Sequence, residues 1–166
     1  MAAARNINVV MADRKKFKAR TGQVDYRHVR WAPVVNCVVK HGDKILLVQR
    51  SSSLHFYPGY WNGISGFLDD HKDLKQKVRE ELKEELGVKG GDITSIRLGK
   101  IFDQEEPKYK KTWIVHPVLV RVKTNRISLD WEAKRYAWVN SEDIKKYKLL
   151  PGFDVVLKEV SRLSHN

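Results

Sequence analysis

Four glutamates lie within six residues of the chain, at Glu80, Glu81, Glu84 and Glu85. Because each residue of a helix advances by about 100°, three of them would share one stripe beside an apolar face made of Leu74, Val78, Leu82 and Leu86. The three that share the stripe are Glu81, Glu84 and Glu85. Clustered carboxylates without a neighbouring cysteine are the ligands that a hard divalent ion, Mg²⁺ or Mn²⁺, prefers. A charged face in contact with water is the alternative, and the helix alone does not separate the two.

A glycine turn leads into this helix, and the stretch from Gly66 to Val88 reads G-F-L-D-D-H-K-D-L-K-Q-K-V-R-E-E-L-K-E-E-L-G-V. It resembles the Nudix box, G-x5-E-x7-R-E-U-x-E-E-x-G-U, in which U is an aliphatic residue. The two agree at Gly66, Glu81, Leu82, Glu84, Glu85, Gly87 and Val88. The chain is therefore similar to MutT-like members of the Nudix hydrolase family, with a divergent box.

The box departs from the family pattern at two positions. Lys72 stands where the pattern has its first Glu, and Glu80 stands where it has Arg. Arg79 cannot simply replace that arginine, because it projects roughly 160° away from Glu81 on the helix. Lys77, one turn before Glu81, is better placed to offset the negative cluster. Since the later glutamates bind the ions in the family, we expect metal binding that is weakened but not abolished.

The resemblance implies a fold, an activity and a metal site. The fold is a Nudix-type α/β/α sandwich around a mixed β-sheet. The activity is hydrolysis of a phosphoanhydride bond in a nucleoside diphosphate linked to a group X, as in nucleoside triphosphates, dinucleoside polyphosphates and nucleotide sugars. The cofactor is Mg²⁺ or Mn²⁺, with ligands from Glu81, Glu84, Glu85 and the backbone carbonyl of Gly66.

Two carboxylates are candidates to take the proton from the attacking water. Glu84 lies in the box itself. Glu132 lies in W-E-A-K-R-Y-A-W-V, which is similar to a segment where many Nudix enzymes keep an acidic residue near the metals. The sequence does not choose between Glu84 and Glu132 as the catalytic base, and Glu132 is also a candidate ligand.

Substrate-binding residues are predicted near the start of a long loop. Arg50 ends a predicted strand, where its guanidinium could bind a phosphate through two hydrogen bonds or form a surface salt bridge. The loop then carries four aromatic residues, Phe56, Tyr57, Tyr60 and Trp61. Most are expected to pack beneath the loop, and Tyr60 or Trp61 is the predicted exception that stacks on a nucleobase.

Hydrophobic patterns and turn residues predict a mixed α/β order. Strands are expected at residues 34–39 and 44–48, followed by a loop over 50–70 and a helix over 73–86 that ends at Gly87. Further strands are expected at 93–102, 112–123 and 135–139, and a final helix at 154–163.

Composition favours one domain. The 166 residues carry a net charge of +12, and eight basic residues against two acidic ones lie in residues 1–31. We therefore divide the chain into a basic N-terminal extension, residues 1–31, and a Nudix domain, residues 32–166. Such a charge attracts phosphate-rich ligands but does not decide between a nucleotide and a polymer, and solubility alone would also account for it. The small-molecule nucleotide substrate is what the resemblance implies, and RNA is a possible partner of the extension. A single cysteine, Cys37, and the lack of a long apolar run predict a cytoplasmic protein without a membrane partner. The sequence does not indicate an oligomeric state.

Two other functions are consistent with parts of the sequence. The stretch from Arg50 to Gly66 also resembles isopentenyl diphosphate isomerases, which share the Nudix fold. Those enzymes place a catalytic cysteine immediately before the glycine, where this chain has Ser65, so the isomerase reaction is disfavoured. The stronger alternative is a catalytically weak or inactive Nudix-fold protein that binds nucleotides or RNA, which Lys72 and Glu80 favour and the three box glutamates oppose.

Overall fold

The structure, a computed structural model, describes residues 19–165. It contains eight strands and two α-helices: β1 Trp31–His41, β2 Lys44–Arg50, β3 Trp61–Asn62, β4 Ile64–Phe67, α1 Leu74–Leu86, β5 Ile93–Leu98, β6 Phe102–Glu106, β7 Lys111–Val122, β8 Ala133–Val139 and α2 Phe153–Leu163. Short 3₁₀ turns occupy Gly90–Asp92, Pro107–Tyr109 and Ser141–Lys146. None of the helices within residues 19–165 has the length and apolar character that crossing a membrane requires. Residues 1–18 of the predicted basic extension lie outside the described part of the chain.

The strands form one mixed sheet, with β1 near its centre. β1 runs parallel to β7 and antiparallel to β2 and β4. The order along the sheet is β3-β2-β1-β7-β5, while β4 pairs with β1, β6 with β7 and β8 with β2. The parallel pairing of β1 with β7 brings two strands together that are distant in sequence.

The two helices cover opposite faces of the sheet. Alternate side chains of β1 point to opposite faces, as in any strand. One set, including Val35, Cys37 and Val39, packs against α1 through Val78 and Leu82. The other set, including Ala32 and Val38, belongs to the cluster that α2 completes through Phe153, Val156 and Val160. This arrangement confirms the predicted α/β/α sandwich.

Helix α1 begins and ends where its sequence predicts. The Asp73 carboxylate accepts a hydrogen bond from the Gln76 amide at 2.9 Å, and the Gln76 side chain accepts from the Asp73 amide at 3.1 Å. This reciprocal pair satisfies donors at the helix N-terminus. The helix ends at Gly87 in the left-handed conformation, with φ of 66°. The predicted helix over residues 73–86 is confirmed, and its caps fix the direction in which the glutamate stripe points.

Two predicted elements differ from the structure. The expected loop over residues 50–70 contains β3 and β4, which lack a clear alternating pattern. Gly63, between them, lies so close to β1 that an added Cβ would be 2.1 Å from the Cys37 carbonyl oxygen. The expected strand over residues 93–102 is split into β5 and β6. At the split, the Gly99 amide donates to the carbonyl of Pro117. Because Pro117 has no amide hydrogen, it cannot continue the ladder, and β7 pairs with β6 before this residue and with β5 after it.

Candidate active site

Predicted site residues that are distant in sequence line one cavity of about 470 Å³, called the main pocket below. They are Arg50, Gly66, Glu81, Glu84 and Glu132. The pocket is bounded by α1, by β4 and by the loop that follows β2. The sheet and α1 therefore bring together most of the residues predicted to do chemistry.

The three glutamates of the helix stripe differ in exposure. Glu84 is exposed, Glu81 is half-buried, and Glu85 is buried with 7% of its surface accessible. Burial raises the pKa of Glu85 well above its usual range, and repulsion from Glu132 and Glu81 adds to the effect. Burial also raises the pKa of Glu81, which shares a hydrogen bond with Glu85. Both carboxyls are therefore harder to ionise than a glutamate in water, Glu85 more so than Glu81.

Glu132 faces these carboxylates from the turn before β8. Its carbonyl accepts a hydrogen bond from the Ser51 amide at 2.7 Å, and its amide donates to the Asp130 carboxylate at 3.0 Å. Burial, together with repulsion from Asp130 and Glu81, raises the pKa of Glu132 to about 7. Attraction by Arg50 opposes the shift only in part. Glu132 can therefore gain or lose a proton near neutral pH.

Gly66 lies with its backbone directly against Glu81. A Cβ added at Gly66 would be 2.5 Å from both Cδ and Oε1 of Glu81, which is closer than real contacts allow. The pairing of β4 with β1, in which Gly66 is opposite Val35, holds this backbone in place. Only glycine leaves room for a carboxylate beside the main chain at this position.

Arg50 lies in the pocket wall at the end of β2. Its Nε donates to the carbonyl of Phe56 at 2.9 Å, so the following loop orients the guanidinium. Burial lowers the pKa of Arg50, while Glu85 and Glu132 act in the opposite direction. Its position fits the predicted contact with a phosphate better than a surface salt bridge.

Tyr60 and Trp61 do not line the main pocket, so the structure does not place either ring where the predicted stacking requires it. The Tyr60 ring lies 4.3 Å from Nζ of Lys148. Pairing of Trp61 with Gln49 in β2 places the indole against Tyr147, with 4.8 Å between ring centroids. A short strand that was not predicted thus sets the direction of the ring.

Other aromatic residues line the main pocket, namely Phe56, Tyr57, Phe67, Trp113 and Trp131. Phe56 and Trp113 meet edge to face at 5.1 Å, and Trp113 Nε1 donates to the Tyr57 hydroxyl at 2.9 Å. Trp131 is 69% exposed. Sequence reasoning did not single out Phe67, Trp113 or Trp131, although the position of Trp131 directly before Glu132 was an available signal.

Lys77 is the cation that faces the acidic cluster. Its Nζ lies 3.2 Å from Asp69 and 3.3 Å from Glu81, and the side chain is buried. Burial alone would lower the pKa of Lys77, but attraction by Glu81 and Asp69 raises it above its usual range. Lys77 therefore contacts Glu81 as expected from helix spacing. Arg79 instead donates to the carbonyl of Lys75.

The two residues at which the box departs from the pattern contact each other. Lys72 Nζ donates to both carboxylate oxygens of Glu80, at 2.8 Å and 2.9 Å, and also to Asp70 at 3.1 Å. The family pattern has Glu and Arg at these positions, so this chain keeps opposite charges there with their signs exchanged. The two departures therefore form an ion pair with each other, and the box retains the carboxylates of Glu81, Glu84 and Glu85.

The residues predicted as metal ligands carry the oxygen atoms that a hard divalent cation requires. Within residues 19–165, no three Asp, Glu, His or Cys side chains are already arranged to hold an ion. The carboxyls of Glu81 and Glu85 nevertheless lie within hydrogen-bond distance of each other, burial and mutual repulsion disfavour their ionisation, and the Gly66 backbone lies against Glu81. All of these ligands carry oxygen, as Mg²⁺ and Mn²⁺ require.

A NUDIX domain model matches residues 30–160. The chain belongs to the Nudix family. The nucleoside triphosphatase NudI of Klebsiella pneumoniae is 25% identical in an alignment 138 residues long that covers 79% of this chain and 97% of that protein. The matched range includes every predicted site residue. The enzyme class that the family and its relatives support is a pyrophosphohydrolase acting on acid anhydrides.

Solved Nudix structures share the fold. The structure of an Ap4A hydrolase from C. elegans, a binary complex, has a TM-score of 0.64 and 20% identity, covering 81% of this chain and 98% of that one. The NUDIX domain of Shewanella oneidensis NrtR, in complex with ADP ribose, has a TM-score of 0.66 and 20% identity, covering 90% and 92%. At this identity, the similarity supports the fold alone.

Replacing Glu132 with Gln should stabilise the metal-free protein at about pH 8 and have little effect at about pH 4.5. The pKa of Glu132 rises from 4.5 to about 7 on folding, so the folded protein binds this proton more tightly than the unfolded chain does. Ionisation of Glu132 therefore opposes folding as pH rises through this range, by up to about 3 kcal/mol. Urea unfolding in EDTA measures the effect, with the exposed Glu142→Gln as control. Equal effects at both pH values would contradict it.

Exchanging the charges of Lys72 and Glu80 in a double variant should leave the melting temperature of the protein nearly unchanged. Lys72→Glu alone places a third carboxylate beside Asp70 and Glu80, and Glu80→Arg alone adds a cation beside Lys72, so each single variant should melt at a lower temperature. The double variant restores opposite charges and should melt near the wild type. Thermal unfolding measures this, with Lys75→Glu as a control for charge. Additive losses in the double variant would show that the two side chains do not act as a pair.

Proposed function

We propose that this protein is a divalent-metal-dependent hydrolase that cleaves a phosphoanhydride bond in a nucleoside diphosphate linked to a group X. The observation that carries the proposal is the composition of the main pocket, where carboxylates, a guanidinium and aromatic rings meet. The substrate classes are nucleoside triphosphates, dinucleoside polyphosphates and nucleotide sugars. The names of the related proteins, a nucleoside triphosphatase and an Ap4A hydrolase, fall within these classes.

The carboxylates of Glu81, Glu84 and Glu85 and the carbonyl of Gly66 would hold Mg²⁺ or Mn²⁺. When bound, such an ion neutralises charge on phosphate oxygens and lowers the pKa of a water molecule. Gly66, Glu81 and Glu84 line the main pocket, while Glu85 lies buried behind them, one helical turn after Glu81. The proposed ligands thus lie on one side of the pocket.

Glu132 is the residue that we assign as general base. Its pKa of about 7 allows it to accept a proton from water near neutral pH, which is the range in which a general base is most effective. Glu84 lines the same pocket but is exposed. We therefore propose Glu84 as a metal ligand.

The remaining walls would bind and orient the substrate. Arg50 can donate hydrogen bonds to phosphate oxygens, since its Nε is held by the loop and the guanidinium carries four other N–H groups. The rings of Phe56, Phe67 and Trp113 offer an apolar surface for a nucleobase. Asn36 also lines the pocket, and its buried Oδ1 has no hydrogen-bond partner among the described residues.

The isomerase alternative lacks a thiol at the pocket. Ser65 occupies the position of the isomerase cysteine, and the single cysteine of the chain, Cys37, is fully buried with a pKa that burial raises. A thiol in that state is a poor proton donor or acceptor for a substrate in the pocket. Cys37 therefore serves the core between β1 and α1.

Hydrolysis should require the acidic stripe. Release of phosphate or pyrophosphate from a panel of nucleotides with Mg²⁺ or Mn²⁺ should fall at least about 100-fold in the double variant Glu84→Gln/Glu85→Gln, because metal ligands are lost. The matched control is Glu105→Gln/Glu142→Gln, which removes two exposed carboxylates outside the pocket and should retain activity. If wild type and both variants are equally inactive but still bind nucleotides, the protein is a binding protein and the hydrolase proposal fails.

A further inference from the structure

Residues 20–27, called the strap below, lie outside the region that matches the family but pack onto the Nudix domain. The Val24 amide donates to the carbonyl of Asp69 at 2.7 Å, and the Gln23 side chain donates to the Asp69 carboxylate at 2.9 Å. The Tyr26 ring stacks on Phe67, with 6.1 Å between centroids. These contacts join the strap to the residues between β4 and α1.

A buried lysine anchors the far end of the strap. Lys111, with 4% of its surface accessible, donates hydrogen bonds through Nζ to the carbonyls of Tyr26 and Val29. The same ammonium lies 5.7 Å from the ring centre of Phe56 and 5.6 Å from that of Trp113. The strap is therefore held both at Asp69 and at the aromatic side of the main pocket.

The strap forms part of the wall of two neighbouring cavities. Gln23 and Arg27 line the main pocket, while Arg20, Thr21 and Gln23 line a second cavity of about 370 Å³. Gln23, Lys77 and Glu84 line both, so they form the boundary between the two cavities. A substrate placed at Glu84 would therefore lie next to strap residues in both cavities.

The positive charge of the strap favours contact with a polyphosphate substrate. Of the four acidic residues Glu81, Glu84, Glu85 and Glu132, those that are ionised and not neutralised by a metal ion repel a polyphosphate. Arg20 and Arg27 are exposed cations on the wall contributed by the strap. Asp25 orients Arg27, accepting from its Nε at 2.9 Å and its Nη2 at 2.7 Å. The Nε–Nη2 edge of Arg27 faces Asp25, so a phosphate would contact the guanidinium along its other edge.

We propose that the strap is a phosphate-binding wall particular to this chain, with Arg27 contacting the substrate in the main pocket and Arg20 contacting its distal phosphates in the second cavity. The inference rests on the proposed function, because it places the substrate at Glu84. It extends that function by assigning recognition of the polyphosphate to residues outside the family-matched region.

Binding of inorganic triphosphate in the presence of Mg²⁺, measured by titration calorimetry, tests the proposal. Arg27→Gln and Arg20→Gln should each weaken binding by about tenfold or more, as expected for loss of a charge-assisted hydrogen bond. The control is Arg30→Gln, which removes the same charge three residues from Arg27 at a side chain that lines neither cavity. The control should change binding by less than about twofold, and unchanged melting temperatures should show that all variants fold.

Equal effects of Arg27→Gln and Arg30→Gln would overturn the proposal, because they would indicate only a long-range field. Unchanged triphosphate affinity in both Arg27→Gln and Arg20→Gln would overturn it as well. For a nucleotide that the wild type hydrolyses, the same two variants should raise KM with little change in kcat. The titration needs no bond cleavage, so it decides the role of the strap even if the wild type hydrolyses no nucleotide and the proposed function fails.

Discussion

The contact between the buried ammonium of Lys77 and the carboxylates around it governs the acidic side of the pocket. Nζ of Lys77 lies 3.2 Å from Asp69 and 3.3 Å from Glu81, so one cation joins the segment before α1 to the glutamate stripe on α1. Lys77 thereby offsets part of the repulsion between carboxylates that lie four residues apart on the helix. The repulsion that remains, together with burial, raises the pKa of Glu81, Glu85 and Glu132.

The two divergent positions of the box compensate each other. Lys72 and Glu80 carry charges opposite to those of the family pattern, but they form an ion pair at 2.8 Å, so the box keeps its three later glutamates without an unpaired lysine beside them. Burial and mutual repulsion raise the pKa of Glu81 and of Glu85, and a divalent cation bound between them would relieve that repulsion.

The sequence predicted the parts of the fold that depend on local patterns. The end of α1 at Gly87 and the strand over residues 34–39 depend on neighbouring residues, and both predictions match the structure. Elements set by distant contacts were missed. β3 and β4 exist because β1 and β2 provide partners, and β5 ends where Pro117 of β7 interrupts the ladder.

The same distinction holds for the site. The spacing of Glu81, Glu84 and Glu85 follows from one helix, whereas the direction of the Trp61 ring depends on pairing with β2. The position of the strap depends on the contact of Lys111 with the Tyr26 carbonyl, 85 residues apart in sequence, and no local pattern indicates that contact. Helix geometry was therefore a reliable guide to the carboxylates, and tertiary contacts decided which rings and cations surround them.

The most direct test of this account is anomalous diffraction from crystals grown with Mn²⁺ and a nucleotide that resists hydrolysis. The account predicts a manganese peak bound by oxygens of Glu81, Glu84 and Glu85, with the Lys77 ammonium moved away from Glu81. No peak beside these oxygens, with Lys77 still paired to Glu81 and the nucleotide bound, would contradict the central claim that the glutamate stripe binds a divalent ion.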